Sequence, residues 1–396
     1  MKYHRILVEA VITGIRQVMY HESYADKVLQ KLFFENKKWG ARDRAFVAES
    51  FYDIIRHYRL YEFVSGQANN TNVIVAVYFQ KKYGNLPEWI QLTEEDHALI
   101  QRQWERSQEI RAIRESIPDW MDEMCESEIG ENWDREIAAL NEEAKVVLRV
   151  NTLKCSIDQL QDALNKQGID SLRNPLYPTA LILEKRMNVF RLEEFKKGWF
   201  ELQDASSQLV APFLDLKPGM RAVDACAGAG GKSLHMAAIL KNKGQLICLD
   251  TESWKLDELR KRASRNGVDL IQIKIIEDQK TIKRLYKTAD RLLLDVPCSG
   301  LGVLRRNPDS KWKLSPEFMD EVIETQSDIL EKYHKILKPG GKMVYATCSI
   351  LPAENQEQVA RFLKAHPEFT LEEEKIISPA DSGFDGFYMG RISFKL

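Results

Sequence analysis

The chain has no C-x-x-C pair, no apolar run long enough to span a bilayer and almost no net charge, and each lack removes a class of protein. Its six cysteines, Cys125, Cys155, Cys226, Cys248, Cys298 and Cys348, are scattered, which argues against a zinc knuckle or a disulfide framework. The seven histidines fall at no metal-ligand spacing, so no metal is expected. No segment approaches the ~18 apolar residues of a membrane helix. The opening Met1 to Ala10 stretch carries Glu9, with Arg16 soon after, and lacks a clean signal-peptide core. A net charge of −2 excludes a wholly basic nucleic-acid coat and leaves local basic faces open. The expectation is a cytoplasmic monomer without membrane or metal partners.

What is present suits a globular chain too long for one core, with 396 residues, 44% hydrophobic and 29% charged. Three parts are expected. Residues 1–140 read as an all-helical domain, with Val47, Phe51, Ile54 and Tyr58 on one stripe and Ala48, Tyr52 and Ile55 beside it. Trp89, Trp104, Trp120 and Trp133 recur there and are read as packing residues. Residues 141–203 read as a small α/β module able to pack on RNA or to link domains. It has a strand at Val146 to Val150, a helix from Ser156 to Gln167, and short strands at Leu181 to Leu183 and Trp199 to Leu202. Residues 204–396 alternate helices and apolar strands. The expected helices run from Ser206 to Leu214, to Arg265 and from Pro316 to Leu337, and the strands lie at 221–225, 245–250, 270–276, 291–296 and 342–347. This is the pattern of a doubly wound α/β sheet.

The first of those strands ends in Asp224-Ala-Cys-Ala-Gly-Ala-Gly-Gly-Lys-Ser233. Gly228, Gly230 and Gly231 let a ligand approach bare backbone N–H groups at a helix N-terminus. A phosphate-binding P-loop needs glycine where Cys226 stands, and a dinucleotide loop needs a third glycine where Ser233 stands. The turn is thus a cradle for another cofactor, or a tight connection without one.

Open sheets bind ligands outside the carboxyl ends of their strands, and several chemical groups fall there. Asp250 closes the second strand, where an acid can accept from ribose hydroxyls, and Asp278 follows the third, where it can meet an adenine amino group. Asp295 and Cys298 follow the fourth in Asp295-Val-Pro-Cys-Ser-Gly300, and Cys348 follows the fifth in Ala346-Thr-Cys-Ser349. Two thiols and a carboxylate on one rim point away from inert buried cysteine. A nucleophilic role needs local activation, from Lys232 or from backbone amides.

The runs Cys226 to Lys232, Asp295 to Trp312 and Tyr345 to Ile350 resemble the Sun/RsmB family of RNA cytosine-5 methyltransferases. Further matches are Leu148 to Lys154, Gln203 to Gln208 and Asp385 to Met389, so the likeness covers most of residues 115–390. Around Asp43 to Glu49 the helical part more loosely resembles a NusB-like domain. The resemblance implies a Rossmann-like methyltransferase domain preceded by the small module and the helical domain. It implies S-adenosylmethionine as cofactor, held by Cys226, Ala227, Gly228, Ala229, Gly230, Gly231, Lys232, Asp250, Asp278 and Asp295. It also implies RNA as substrate, ribosomal RNA first.

By the family's assignment Cys348 attacks carbon 6 of a cytosine, Cys298 assists elimination and Asp295 hydrogen-bonds the ring near N3. In DNA cytosine-5 methyltransferases the Pro-Cys thiol attacks instead, but the Thr-Cys pair favours Cys348. Arg305, Arg306, Lys311 and Trp312 form a basic turn expected to meet RNA. The family's usual Ala-Pro-Gly-Gly is replaced by Gly228-Ala229 before Gly230, and the added freedom is expected to weaken cofactor affinity modestly. Two other functions fit the same residues: methylation of transfer RNA, and an RNA-binding ribosome assembly factor with weak or no methyl transfer.

Overall fold

Buried apolar stripes repeat at helical spacing as far as Leu140, and alternating buried strands dominate the rest. The computed structural model describes residues 4–395. It divides into two compact units, Met1–Glu142 with Leu304–Pro316, and Glu143–Val303 with Glu317–Leu396.

The first unit is helical. Its long helices are Arg5–Tyr20, Ala25–Glu35, Ala41–Arg56, Thr71–Tyr83 and Glu94–Glu109. The ends follow local chemistry: Asn70 accepts from the Val73 amide, and Thr93 and Asp96 form a reciprocal capping box. Val11, Ile15, Val47, Phe51, Ile54, Val75 and Phe79 fill the core, with the expected stripe at its centre.

The segment Leu304–Pro316 belongs to this helical core, and much of the basic turn expected to meet RNA is packed within it. Trp312 Nε1 donates to the Ile55 carbonyl at 3.0 Å, and its ring meets Tyr58 edge-on at 6.2 Å. Arg305, 2% exposed, donates to the Ala139 carbonyl at 2.7 Å and accepts at its own carbonyl from Arg56 at 3.0 Å. Lys311, with no exposed surface, donates to Asn141 Oδ1 at 2.9 Å. Burial and the neighbouring Arg56 push the Lys311 ammonium well below its usual pKa. Arg306 is half-buried. Arg305 and Lys311 thus direct these donors at groups inside the unit.

The second unit holds two sheets. The smaller contains β1 (Val147–Val150), β2 (Ser171–Leu172), β3 (Ala180–Leu183) and β4 (Phe200–Leu202), in the order β2-β3-β1-β4 with antiparallel pairing. The larger contains β5 (Arg221–Asp224), β6 (Gln245–Asp250), β7 (Ile271–Ile275), β8 (Ala289–Asp295), β9 (Leu337–Thr347), β10 (Phe369–Ile377) and β11 (Phe387–Phe394). Its order is β10-β11-β9-β8-β5-β6-β7, with β5 to β9 parallel and β11 and β10 added antiparallel. Alternate residues feed the two faces: Ala222, Leu246, Cys248, Leu293 and Val344 pack on one, and Val223, Ile247, Leu249, Leu292 and Tyr345 on the other. Both faces of the central strands β5, β6, β8 and β9 are therefore dry, as apolar strands require.

Three local differences from the expected elements occur. The helix expected from Ser206 to Leu214 splits into Ala205–Gln208 and Val210–Phe213, because Pro212 has no N–H to donate to the Gln208 carbonyl. The helix from Pro316 stops at Tyr333 and gives way to a 3₁₀ turn, His334–Ile336. Strand β9 starts at Leu337 rather than Lys342, and its glycine pair forms a bulge opposite Ala289 and Arg291, with Gly340 at φ 75°.

Candidate active site

The order of β9, β8, β5, β6 and β7 reverses between β5 and β8. At such a switch point the loops leaving neighbouring strands diverge and open a crevice. The glycine turn leaves β5 there, and Asp295 ends β8.

The turn is held at its carbonyls and its first glycine. Arg262 Nη1 donates to the Ala229 carbonyl at 2.7 Å, and the Arg149 guanidinium donates to the Gly231 carbonyl. The Gly228 amide donates to Asp250 Oδ2 at 2.8 Å, while Asp250 Oδ1 accepts from the Glu252 amide at 2.9 Å. Gly230 sits at φ 86°, and a Cβ there would meet Leu259 Cδ1 at 2.1 Å, so only glycine fits. Gly228 sits at φ 54°, and a Cβ there would meet nothing within 4 Å. These ties restrain the freedom expected of Gly228-Ala229.

The guanidiniums are themselves anchored. Buried Glu201, at the middle of β4, accepts from Arg262 at 2.8 Å and also from Arg265 and Asn266. Burial pushes the Glu201 carboxyl up, but Arg262, Asn266 and Arg265 outweigh it and hold it below the usual range. Arg262 and Arg265, both on the helix Ser253–Asn266, thus brace the cradle. Arg149, fully buried, also bonds Gln203 Oε1 at 2.5 Å.

Lys232 Nζ donates to Asp295 Oδ2 at 2.7 Å, and the Lys232 ammonium lies 5.1 Å from the Phe387 ring centre. Burial works against the Lys232 charge, but Asp295 outweighs it and holds the ammonium above its ordinary range. Beside this pair the Cys298 and Cys348 sulfurs lie 3.3 Å apart, both half-buried. Cys298 is raised well above the ordinary thiol by its hydrogen bond with Cys348, by burial and by the charges of Cys348 and Glu354. Cys226, in the glycine turn, is raised by burial and then by Asp224, Asp295 and Asp250. Asp224 lies under the turn and takes a hydrogen bond from Ser233 Oγ at 2.6 Å; burial pushes it up to about 7.

The structure therefore brings together Cys226, Gly228, Gly230, Lys232, Asp250, Asp295, Cys298 and Cys348 around the carboxyl edge of one sheet. Asp278 also lies past a strand end, but its Oδ1 caps the helix Gln279–Lys283, accepting from Lys280 at 2.8 Å and Thr281 at 3.2 Å. It borders a cavity of ≈ 210 Å³ with Ile276, Ile282 and Tyr333. Arg305, Arg306, Lys311 and Trp312 belong to the other unit. Sequence reasoning missed Arg149, Glu201, Arg262 and Glu354. One signal for the last was present: each rim cysteine is followed by serine, Cys298-Ser299 and Cys348-Ser349, and both serines bond Glu354.

A doubly wound sheet of this order, with a glycine cradle after its first strand and an acid closing the next, defines the Rossmann-like methyltransferase class. Family comparison agrees. Residues 211–392 match the 16S rRNA methyltransferase RsmB/F model, and residues 117–190 match the ferredoxin-like domain of RsmF/B-like methyltransferases. A probable ribosomal RNA small subunit methyltransferase B from Synechocystis is 35% identical over 269 residues, covering 67% of this chain and 60% of that protein. The Pectobacterium atrosepticum ribosomal RNA small subunit methyltransferase B is 32% identical over 315 residues, covering 74% of this chain and 71% of that protein. The crystal structure of a methyltransferase homolog from Pyrococcus horikoshii superposes with TM-score 0.64 at 26% identity, over 72% of this chain and 98% of that one. The chain spans less than two thirds of the length of the Synechocystis relative. It belongs to the ribosomal RNA small subunit methyltransferase B family, whose methyl donor is S-adenosylmethionine.

Proposed function

We propose that this protein methylates carbon 5 of a cytosine in RNA, ribosomal RNA first, through a covalent cysteine adduct at carbon 6. The observation that carries the reading is the pair of sulfurs, Cys298 and Cys348, 3.3 Å apart beside the Lys232–Asp295 ion pair. Carbon 5 of cytosine is a weak nucleophile. A thiolate that adds at carbon 6 breaks the C5=C6 double bond and moves its electron pair to carbon 5.

S-adenosylmethionine, when bound, supplies an electrophilic methyl group on a sulfonium sulfur. The cradle fits it: Gly228 opens on unfilled space, and each oxygen of the Asp250 carboxylate, already holding one amide, can accept a second bond from a ribose hydroxyl. Asp278, Ile276 and Tyr333 border a cavity suited to a flat base. Cys226 to Gly231 would face the donor with backbone, and Lys232 would fix Asp295 rather than touch a phosphate.

In this scheme Cys348 forms the bond to carbon 6. Asp295, oriented by Lys232, holds the ring near N3 as charge develops, a preorganised contact of the kind that dominates such steps. After transfer Cys298 assists elimination: as thiolate it takes the carbon 5 proton, the C–H bonding pair rebuilds C5=C6, and the S–C6 pair returns to Cys348. A base inside a duplex is out of reach, so the target is unpaired or flipped out.

Incubation with radiolabelled donor and ribosomal RNA, followed by nucleoside analysis, tests the reading. Labelled 5-methylcytosine formed by the parent and lost in Cys348→Ala is the expected result. Full activity in that variant would sink the nucleophile assignment, and label in transfer RNA alone would move the substrate.

A further inference from the structure

Glu354 lies in the turn Pro352–Glu354 after β9 and has no exposed surface. Its carboxylate gathers donors from segments far apart in the chain. Oε2 accepts from the Ser299 amide at 2.8 Å and from Gln326 Nε2 at 2.9 Å. Oε1 accepts from Ser299 Oγ and Ser349 Oγ, each at 2.5 Å. The backbone joins in, with the Glu354 carbonyl accepting from Tyr345 OH at 2.7 Å and Asn355 Nδ2 donating to the Ser349 carbonyl at 3.1 Å. Ser299 follows Cys298 and Ser349 follows Cys348, so one buried acid ties both thiol-bearing loops.

A carboxylate accepts and does not donate, which suits a centre where every neighbour points an N–H or O–H inward. Neutralising it costs more than one bond, because the converging donors lose a common acceptor. The groups facing Cys298 are the Cys348 thiol, Glu354 and the Tyr345 hydroxyl, and Lys232 with Asp295 stands on the Cys348 side. Lys232 and its counter-charge Asp295 thus stand on the Cys348 side, and the buried negative charge of Glu354 acts on Cys298.

We propose that Glu354 is a positioning residue: its carboxylate sets the spacing of the Cys298 and Cys348 loops and keeps Cys298 from reacting before Cys348 has formed its bond. The inference rests on the roles given above to the two thiols. Cys298 keeps its proton while Cys348 is free. Once the Cys348 electron pair lies in a bond to carbon 6, Cys298 gives up its proton to solvent and its thiolate can take the carbon 5 proton in elimination.

The test needs neither RNA nor cofactor. The full chain is treated with iodoacetamide from neutral to alkaline pH, and alkylation of Cys298, Cys348 and Cys155 is read by peptide mass spectrometry. Buried Cys155, in the smaller sheet, reports general loosening. In Glu354→Gln the Cys298 curve moves to lower pH, with alkylation about tenfold faster near neutrality and Cys155 unchanged. If that variant does not fold, Ser299→Ala carries the test, with Cys298 alkylation rising severalfold because its loop loses a tie. A Cys298 curve identical to the parent's, or an equal rise at Cys155, overturns the proposal. A chain inactive on every RNA would overturn the methylation reading and leave these alkylation curves standing.

Discussion

Lys232 Nζ and Asp295 Oδ2 meet at 2.7 Å, joining the helix that follows the glycine turn to the end of β8. The pair is partly buried, with 13% and 26% of the side chains exposed. If Asp295 must hold a cytosine ring, Lys232 fixes its rotamer. Lys232→Met is therefore expected to lower kcat about 100-fold, the loss typical of one preorganised polar contact, with donor affinity little changed. A variant with wild-type kcat would show that Asp295 needs no partner.

Cys298→Ala leaves Cys348, the proposed nucleophile, in place and removes its neighbour 3.3 Å away. The expected product is a covalent enzyme–RNA species that survives denaturing gel electrophoresis and grows with time. Rapid turnover without an adduct would reassign release to another group.

The cradle carbonyls depend on arginines that depend on Glu201. Glu201→Gln leaves Arg262 and Arg265 short of a buried counter-charge and is expected to cost about 3–5 kcal/mol of stability, measured by chemical denaturation. The Glu201 pKa is depressed in the fold, so its contribution is present above the ordinary carboxylate range and lost as pH falls through the folded value. The gap between parent and variant should therefore narrow under acid.

Asp224 behaves in the opposite sense. Its folded pKa is about 7, far above the unfolded value, because it is buried under the turn. The folded state keeps a proton that the unfolded state has released, so stability falls as pH rises from ~4 to ~7. In Asp224→Asn this component is absent, and its denaturation midpoints should be flatter over that window. The difference is on the order of 4 kcal/mol. Parallel curves for the two proteins would refute it.

Lys311 is a structural lysine of the helical unit. Lys311→Ala leaves Asn141 Oδ1 without this donor and should cost about 1–3 kcal/mol. RNA affinity below the melting transition should match the parent's. A selective loss of RNA binding in a fully folded variant would restore the basic-turn reading.

Much of the site was legible because its chemistry sits at strand ends. Strands β5, β6, β8 and β9 are apolar runs between turn signals, and the residues closing them, Asp250, Asp295 and Cys348 among them, lie where the topology opens. Strand β10 was hidden for a physical reason. Its run Phe369-Thr-Leu-Glu-Glu-Glu-Lys-Ile-Ile377 is an edge strand exposed along most of its length, so its charges mask the period. The burial of Arg305 and Lys311 was not legible, because a charged residue buried against carbonyls looks, in one dimension, like a charged residue in water.

By itself the sequence determined the doubly wound sheet, the glycine cradle and the placing of two thiols and a carboxylate on one rim, because hydrophobic period and chain punctuation are local properties. Tertiary structure decided which charges do work there and which are packing. Arg149, Glu201, Arg262 and Glu354 acquire their roles from partners 5 to 82 residues away. A buried charge is stable only where folding assembles its counter-groups, and that assembly is written in no single stretch of the chain.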